Sequence, residues 1–169
     1  MTTSLMADAF GHHVWATITL LDTCLELDDA QLATDVPGTY GSILAIARHT
    51  VGADHGYLYA LSAGAHTEID EDSMSIAELR ASMEANGPEW TALLAQDLDP
   101  DVDVVRHRDD GTDSHAQLGI RLAQVLHHGT DHRSQICTAL TTIGVTPPEI
   151  DVWDYAWKDQ RIWEEPTPA

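Results

Sequence analysis

Apolar residues return along this chain at helical rather than strand spacing. Met6, Phe10, Val14, Thr17, Leu21 and Cys24 fall three or four residues apart and predict a first helix over residues 3–27. The stretch 28–41, DDAQLATDVPGTYG, breaks that rhythm and reads as a loop with a short helical piece and a Pro-Gly turn. Ser42 is placed to cap a second helix, whose pattern SILAIARHTVGADHGYLYAL ends near Gly64. An acidic linker, AHTEIDEDSM, leads to Ser75 and Glu78, which have the spacing of a capping box for a third helix reaching Gln96. The Gly87-Pro88 step inside that helix predicts a kink or break.

Residues 102–108 alternate and then meet DDGT, the pattern of a short extended arm and a turn. The last long helix is predicted from Ser114 to Ile143, where Gly144 and then Pro147-Pro148 stop it. EIDVWDYAWKDQR beyond it reads as a capping segment with room for one turn of helix. Four long helices, with one long non-helical connection between the third and fourth, predict an all-α four-helix bundle. One domain over 1–163 and a frayed EEPTPA tail at 164–169 complete the expected organisation.

Composition narrows the function classes. The chain has 169 residues, 43% of them apolar and 21% charged, which suits one globular core. Its 8 basic and 28 acidic residues leave a net charge of −20, which repels phosphate backbones and anionic lipid and argues against nucleic-acid or membrane binding. No apolar run is long enough to span a bilayer, and MTTSLMADAFGHHVW lacks the pattern of a signal peptide. The expectation is a cytoplasmic protein. Lys158 is the one lysine and every other cation is arginine, a bias that either a salty cytoplasm or a GC-rich genome would produce. Cys24 and Cys137 form no metal or CxxC motif and are expected to be buried thiols.

The candidate chemistry lies in HHGTDHRSQ, residues 127–135. At about 100° per residue, His128 and His132 stand about 40° apart, one turn above the other. His127 lies about 140° from His132, on the side of Asp131. The apolar stripe Leu118, Leu122, Val125, Ile136, Ala139, Ile143 passes through His132, so both members of the pair point into the bundle. Two inward imidazoles need partners. Backbone or carboxylate hydrogen bonds would serve; so would a divalent metal with a third ligand from elsewhere. His49 is a candidate, set among Ser42, Ala45, Ala53, Gly56 and Ala60, though the same small residues are equally compatible with close helix packing around a satisfied core histidine. His13 lies at the edge of the first helix's buried stripe and is expected beside a site rather than in one. His12 points away, and His66, His107 and His115 fall in or near connections. Cys137 lies about 180° from His128 and is not a candidate ligand.

Together VWA at 14–16, YGSILAIARHTVGADHGYL at 40–58, HHGTDHRSQ and IGVTPPEIDVWDYAW resemble the DinB-like family of metal-binding four-helix bundles, over nearly the whole chain. This family is unrelated to the DNA polymerase of the same name. The resemblance implies His49, His128 and His132 as ligands of a divalent metal, with zinc, nickel, iron or manganese as the candidates, since relatives carry different metals. It implies a homodimer. It also implies chemistry like that of mycothiol-dependent maleylpyruvate isomerase or bacillithiol transferase: a thiol-dependent transferase or isomerase acting on a small-molecule electrophile, with a low-molecular-weight thiol supplied from outside. A metal-dependent hydrolase and a non-catalytic metal or small-molecule binder are the alternatives. No aspartate or glutamate in the pattern identifies itself as a general base, and the catalytic residues are unassigned. Trp15 and Tyr57 are expected as pocket walls or core. Arg133 is expected to pair with Asp151 or Asp154 and lock the C-terminal segment, with an anionic substrate as its alternative partner. Gln135 is expected to bond between helices.

Overall fold

The computed structural model describes residues 5–62, 69–107, 110–165 and 167. His66 and part of the expected 164–169 tail lie outside the described residues. Four long helices dominate: α1 (Leu5–Cys24), α3 (Ile43–Leu61), α4 (Ile76–Leu94) and α5 (Leu118–Thr142). Short helices α2 (Asp29–Leu32) and α6 (Val152–Lys158), a single 3-10 turn at Glu71–Ser73, and strands β1 (Asp103–His107) and β2 (Asp113–Gln117) complete the described fold.

Local chemistry starts the helices. The Ser42 side chain accepts from the Ala45 N–H, leaving the first turn of α3 capped. Ser75 and Glu78 form the reciprocal capping box at α4, and Asp151 with Asp154 repeats it at α6. Two boundaries differ from expectation. α5 starts at Leu118 rather than Ser114, because 113–117 pair antiparallel with 103–107 around a turn in which Gly111 has φ +81°. The Arg121 Nη2 group donates to the Val104 and Ser114 carbonyls and ties this hairpin to the helix. α4 runs unbroken through Pro88. The proline is exposed, so the carbonyl it leaves without a donor faces water, while Met83, Asn86 and Trp90 pack inward on either side of it.

Side-chain contacts set the topology. Phe10 meets Trp90 and Asp22 meets Arg80, so α1 and α4 run antiparallel. Arg48 meets Met74 just before α4 and His55 meets Ser82 within it, which makes α3 and α4 parallel. Tyr40 meets Gln135 and Tyr57 meets His128, so α3 and α5 are antiparallel. The order is therefore up, down, down, up, with α1 and α3 diagonal across the bundle. α6 lies on α1, where the Tyr155 hydroxyl fills the notch left by Gly11.

Two apolar clusters fill the interior. Leu20, Leu21, Ile43, Ile46, Leu79 and Leu140 anchor one; Phe10, Leu58, Trp90, Leu122 and Val125 anchor the other. Each fully buried side chain of this size contributes about 1.5–3 kcal/mol. Between the clusters lies a polar layer of His13, Thr17, Asp54, Asn86 and Arg133, one or more from each long helix. Among the described residues no helix is long and apolar enough to cross a membrane.

Candidate metal centre

α5 carries His128 and His132 one turn apart, and the antiparallel packing of α3 brings His49 against them. His128 Nε2 stands 3.0 Å from His49 Nε2 and 3.1 Å from His132 Nε2. A ring nitrogen has one in-plane site, holding either a proton or a lone pair. His128 Nε2 therefore cannot make ordinary hydrogen bonds to both neighbours. Three lone pairs converging on one cation would satisfy all three Nε2 atoms at once, and the group can hold a metal ion. The spacing fits: with metal–nitrogen bonds of about 2.1 Å, nitrogens this close together could share one ion.

The electrostatics suit the same purpose. Burial, followed by the neighbouring His132 and His49, pushes His128 down to about 4, and burial beside His132 also lowers His49. Neutral imidazoles present lone pairs rather than protons. His132 is 6% exposed, and its buried Nδ1 has no partner among the described residues.

Two residues that the sequence pattern did not single out flank the cluster. Tyr40 stacks on His49 with ring centroids 4.0 Å apart and an interplanar angle of 15°, and lies edge-on to His132 at 5.5 Å. Its backbone N–H donates to Gln135 Oε1 over 2.7 Å, so Gln135 fixes this loop rather than a neighbouring helix. Glu71, from the single-turn helix before α4, lays its side chain over Gly52, three residues from His49, and its charge favours the protonated form of His49. Glu71 and Tyr40 come from connections, where periodicity carries no signal. Tyr57 borders the cluster with its ring 6.1 Å from His128.

His13 and Arg133 stand behind the cluster in the polar layer. Arg133 Nη1 donates to His13 Nδ1 over 3.0 Å, so that nitrogen must be the acceptor and His13 carries its proton on Nε2. From there it donates to Asp54 Oδ1 over 2.9 Å. Asn86 Nδ2 and Trp90 Nε1 also donate to the Asp54 carboxylate. Gly129 makes this possible, since a Cβ there would collide with the His13 ring. Arg133 does not pair with Asp151 or Asp154. It is 4% exposed and turned into the bundle, where it also bonds Thr17, while both aspartates are occupied capping α6. Burial lowers its pKa to about 10, which leaves it charged at neutral pH.

Trp15 lies away from the histidine cluster and packs on Tyr155 and His12, with Lys158 Nζ 5.5 Å from its ring centroid. His12 Nε2 donates to the Ile150 carbonyl over 2.9 Å and so fastens the C-terminal segment in the way expected of Arg133. His107 and His115 are exposed and bond Asp113 and Asp103 across the hairpin. Both cysteines are free thiols; burial pushes Cys24 up to about 12 and raises Cys137.

Comparison with known proteins agrees with this architecture. No curated protein matches the chain. A crystal structure of a DinB-like protein from Bacillus cereus ATCC 10987 superposes with a TM-score of 0.63, at 17% identity, covering 83% of this chain and 91% of that one. At that identity the likeness concerns the fold. The DinB family model matches residues 1–165. The chain belongs to the DinB family.

Proposed function

We propose that His49, His128 and His132 bind a divalent metal, and that the protein is a metal- and thiol-dependent transferase or isomerase acting on a small electrophile. The observation that carries the reading is the approach of three imidazole nitrogens that cannot satisfy one another by hydrogen bonds. His49, His128 and His132 would hold the metal, which would supply a site that lowers the pKa of a thiol or water. The chain's own groups do the rest. Tyr40 and Tyr57 wall the cluster, and Tyr40, 56% exposed, stands between His49 and solvent. Neither cysteine has the character of a thiolate, which favours a thiol supplied from outside.

Glu71 favours a second reading, metal-dependent hydrolysis. It supplies the carboxylate near His49 that a water-activating general base requires. The two are separated by assaying metal-loaded protein with a panel of low-molecular-weight thiols and a chromogenic electrophile, and with an activated ester. Thiol transfer abolished by His132→Ala and unchanged by Glu71→Gln supports the first reading. Ester hydrolysis that falls about 100-fold in Glu71→Gln supports the second. Stoichiometric metal with neither activity would leave a non-catalytic binder.

A further inference from the structure

We propose that the cavity of about 600 Å³ between α1, α5 and the start of α6 binds a small monocarboxylate with an apolar body, its carboxylate seated on Arg133. The cavity is separate from the histidine cluster. Its α5 wall is formed by Leu126, Thr130, Arg133, Ser134 and Cys137, which by helical geometry lie on the opposite face from His128 and His132. The inference does not depend on the metal reading.

Arg133 is the reason to expect an anion. A buried cation normally has a carboxylate in contact. Among the described residues no carboxylate forms an ion pair with Arg133, and the nearest compensating charge, Asp54, is reached only through the His13 ring. Of its five N–H groups, those on Nη1 serve His13 and Thr17, and one on Nη2 serves Thr130. The Nε–H and the second Nη2–H have no acceptor among the described residues, and Arg133 is one of the residues lining the cavity. Two free donors on one planar cation match the two oxygens of a carboxylate.

The walls choose the kind of anion. Leu126, Ile150 and Val152 give the cavity a mainly apolar lining, which suits a hydrocarbon body and disfavours a strongly hydrated phosphate. Asp151 at the rim repels a second negative charge. The volume lies within the range of about 300–1,000 Å³ typical of small-molecule sites.

The test uses metal-free protein, verified by elemental analysis, titrated calorimetrically with sodium benzoate, benzamide and inorganic phosphate. Benzoate is expected to saturate one site per chain, with benzamide and phosphate at least about tenfold weaker. Ser134→Trp changes an exposed rim residue outside the buried network. It should weaken benzoate at least about tenfold while leaving thermal unfolding and metal uptake unchanged. Arg133→Lys should weaken benzoate to a similar degree, because a point charge replaces the planar fork. The proposal is overturned if benzoate binds only when metal is present, if benzamide binds equally well, if Ser134→Trp binds as wild type does, or if benzoate does not saturate by about 20 mM.

Discussion

Replacing Asp54 by asparagine keeps the shape of the side chain and removes its charge, so it tests the polar layer without opening a cavity. The carboxylate accepts from three donors: His13 Nε2, Asn86 Nδ2 and Trp90 Nε1. An amide offers one oxygen in place of two and turns an NH2 group toward at least one of those donors. At least one buried donor then loses its acceptor, at about 1–3 kcal/mol. The Arg133 cation, 4% exposed, also loses the carboxylate that compensates it through His13. Removing one charge of a buried pair typically costs about 3–5 kcal/mol, and the indirect contact puts the total for Asp54→Asn in that range rather than above it. For a chain of this size the loss corresponds to a fall in Tm of about 6–20 °C. Urea unfolding of metal-free protein at pH 7, followed by circular dichroism and tryptophan fluorescence, measures it. A loss below about 1 kcal/mol would show that the layer is not an interdependent network.

Other perturbations reach neighbouring parts of the polar layer and the histidine cluster. Gly129→Ala drives a methyl group against the His13 ring and should destabilise the protein by about 1–3 kcal/mol in the same unfolding assay. Metal-free protein should lose stability as the pH falls from about 6.5 toward about 4, because the unfolded chain takes up a proton there that folded His128 refuses; a His128→Gln variant should flatten that part of a stability–pH profile. Tyr40→Ala removes a ring stacked at 4.0 Å on His49 and should speed metal loss to a chelator with little change in unfolding, as measured by stopped-flow with a chromogenic chelator.

Much of the fold was legible because its signals are local. The caps at Ser42 and Ser75 act within one turn, and the spacing of His128 and His132 places both on one face whatever surrounds them. The start of α5 was not legible, because Ser114 has the chemistry of a cap and only pairing with Arg106 across the hairpin keeps it extended. Arg133 shows a second limit. A helical wheel gives the direction of a side chain around its own axis, but not which helix lies there. Its partners His13 and Thr17 follow from α1 and α5 running side by side. Asp54 lies well away from His49 around α3, and its role appears only once α1 and α4 are in place. Tyr40 and Glu71 sit in connections, where no period exists to read.

The most direct test of the central claim is elemental analysis of purified protein. Close to one divalent metal per chain is expected in wild type and almost none in His49→Ala, His128→Ala or His132→Ala, with each variant still folded by circular dichroism. Absence of bound metal from folded wild type supplied with zinc, nickel, iron and manganese, or full metal content in a variant lacking all three imidazoles, would contradict it.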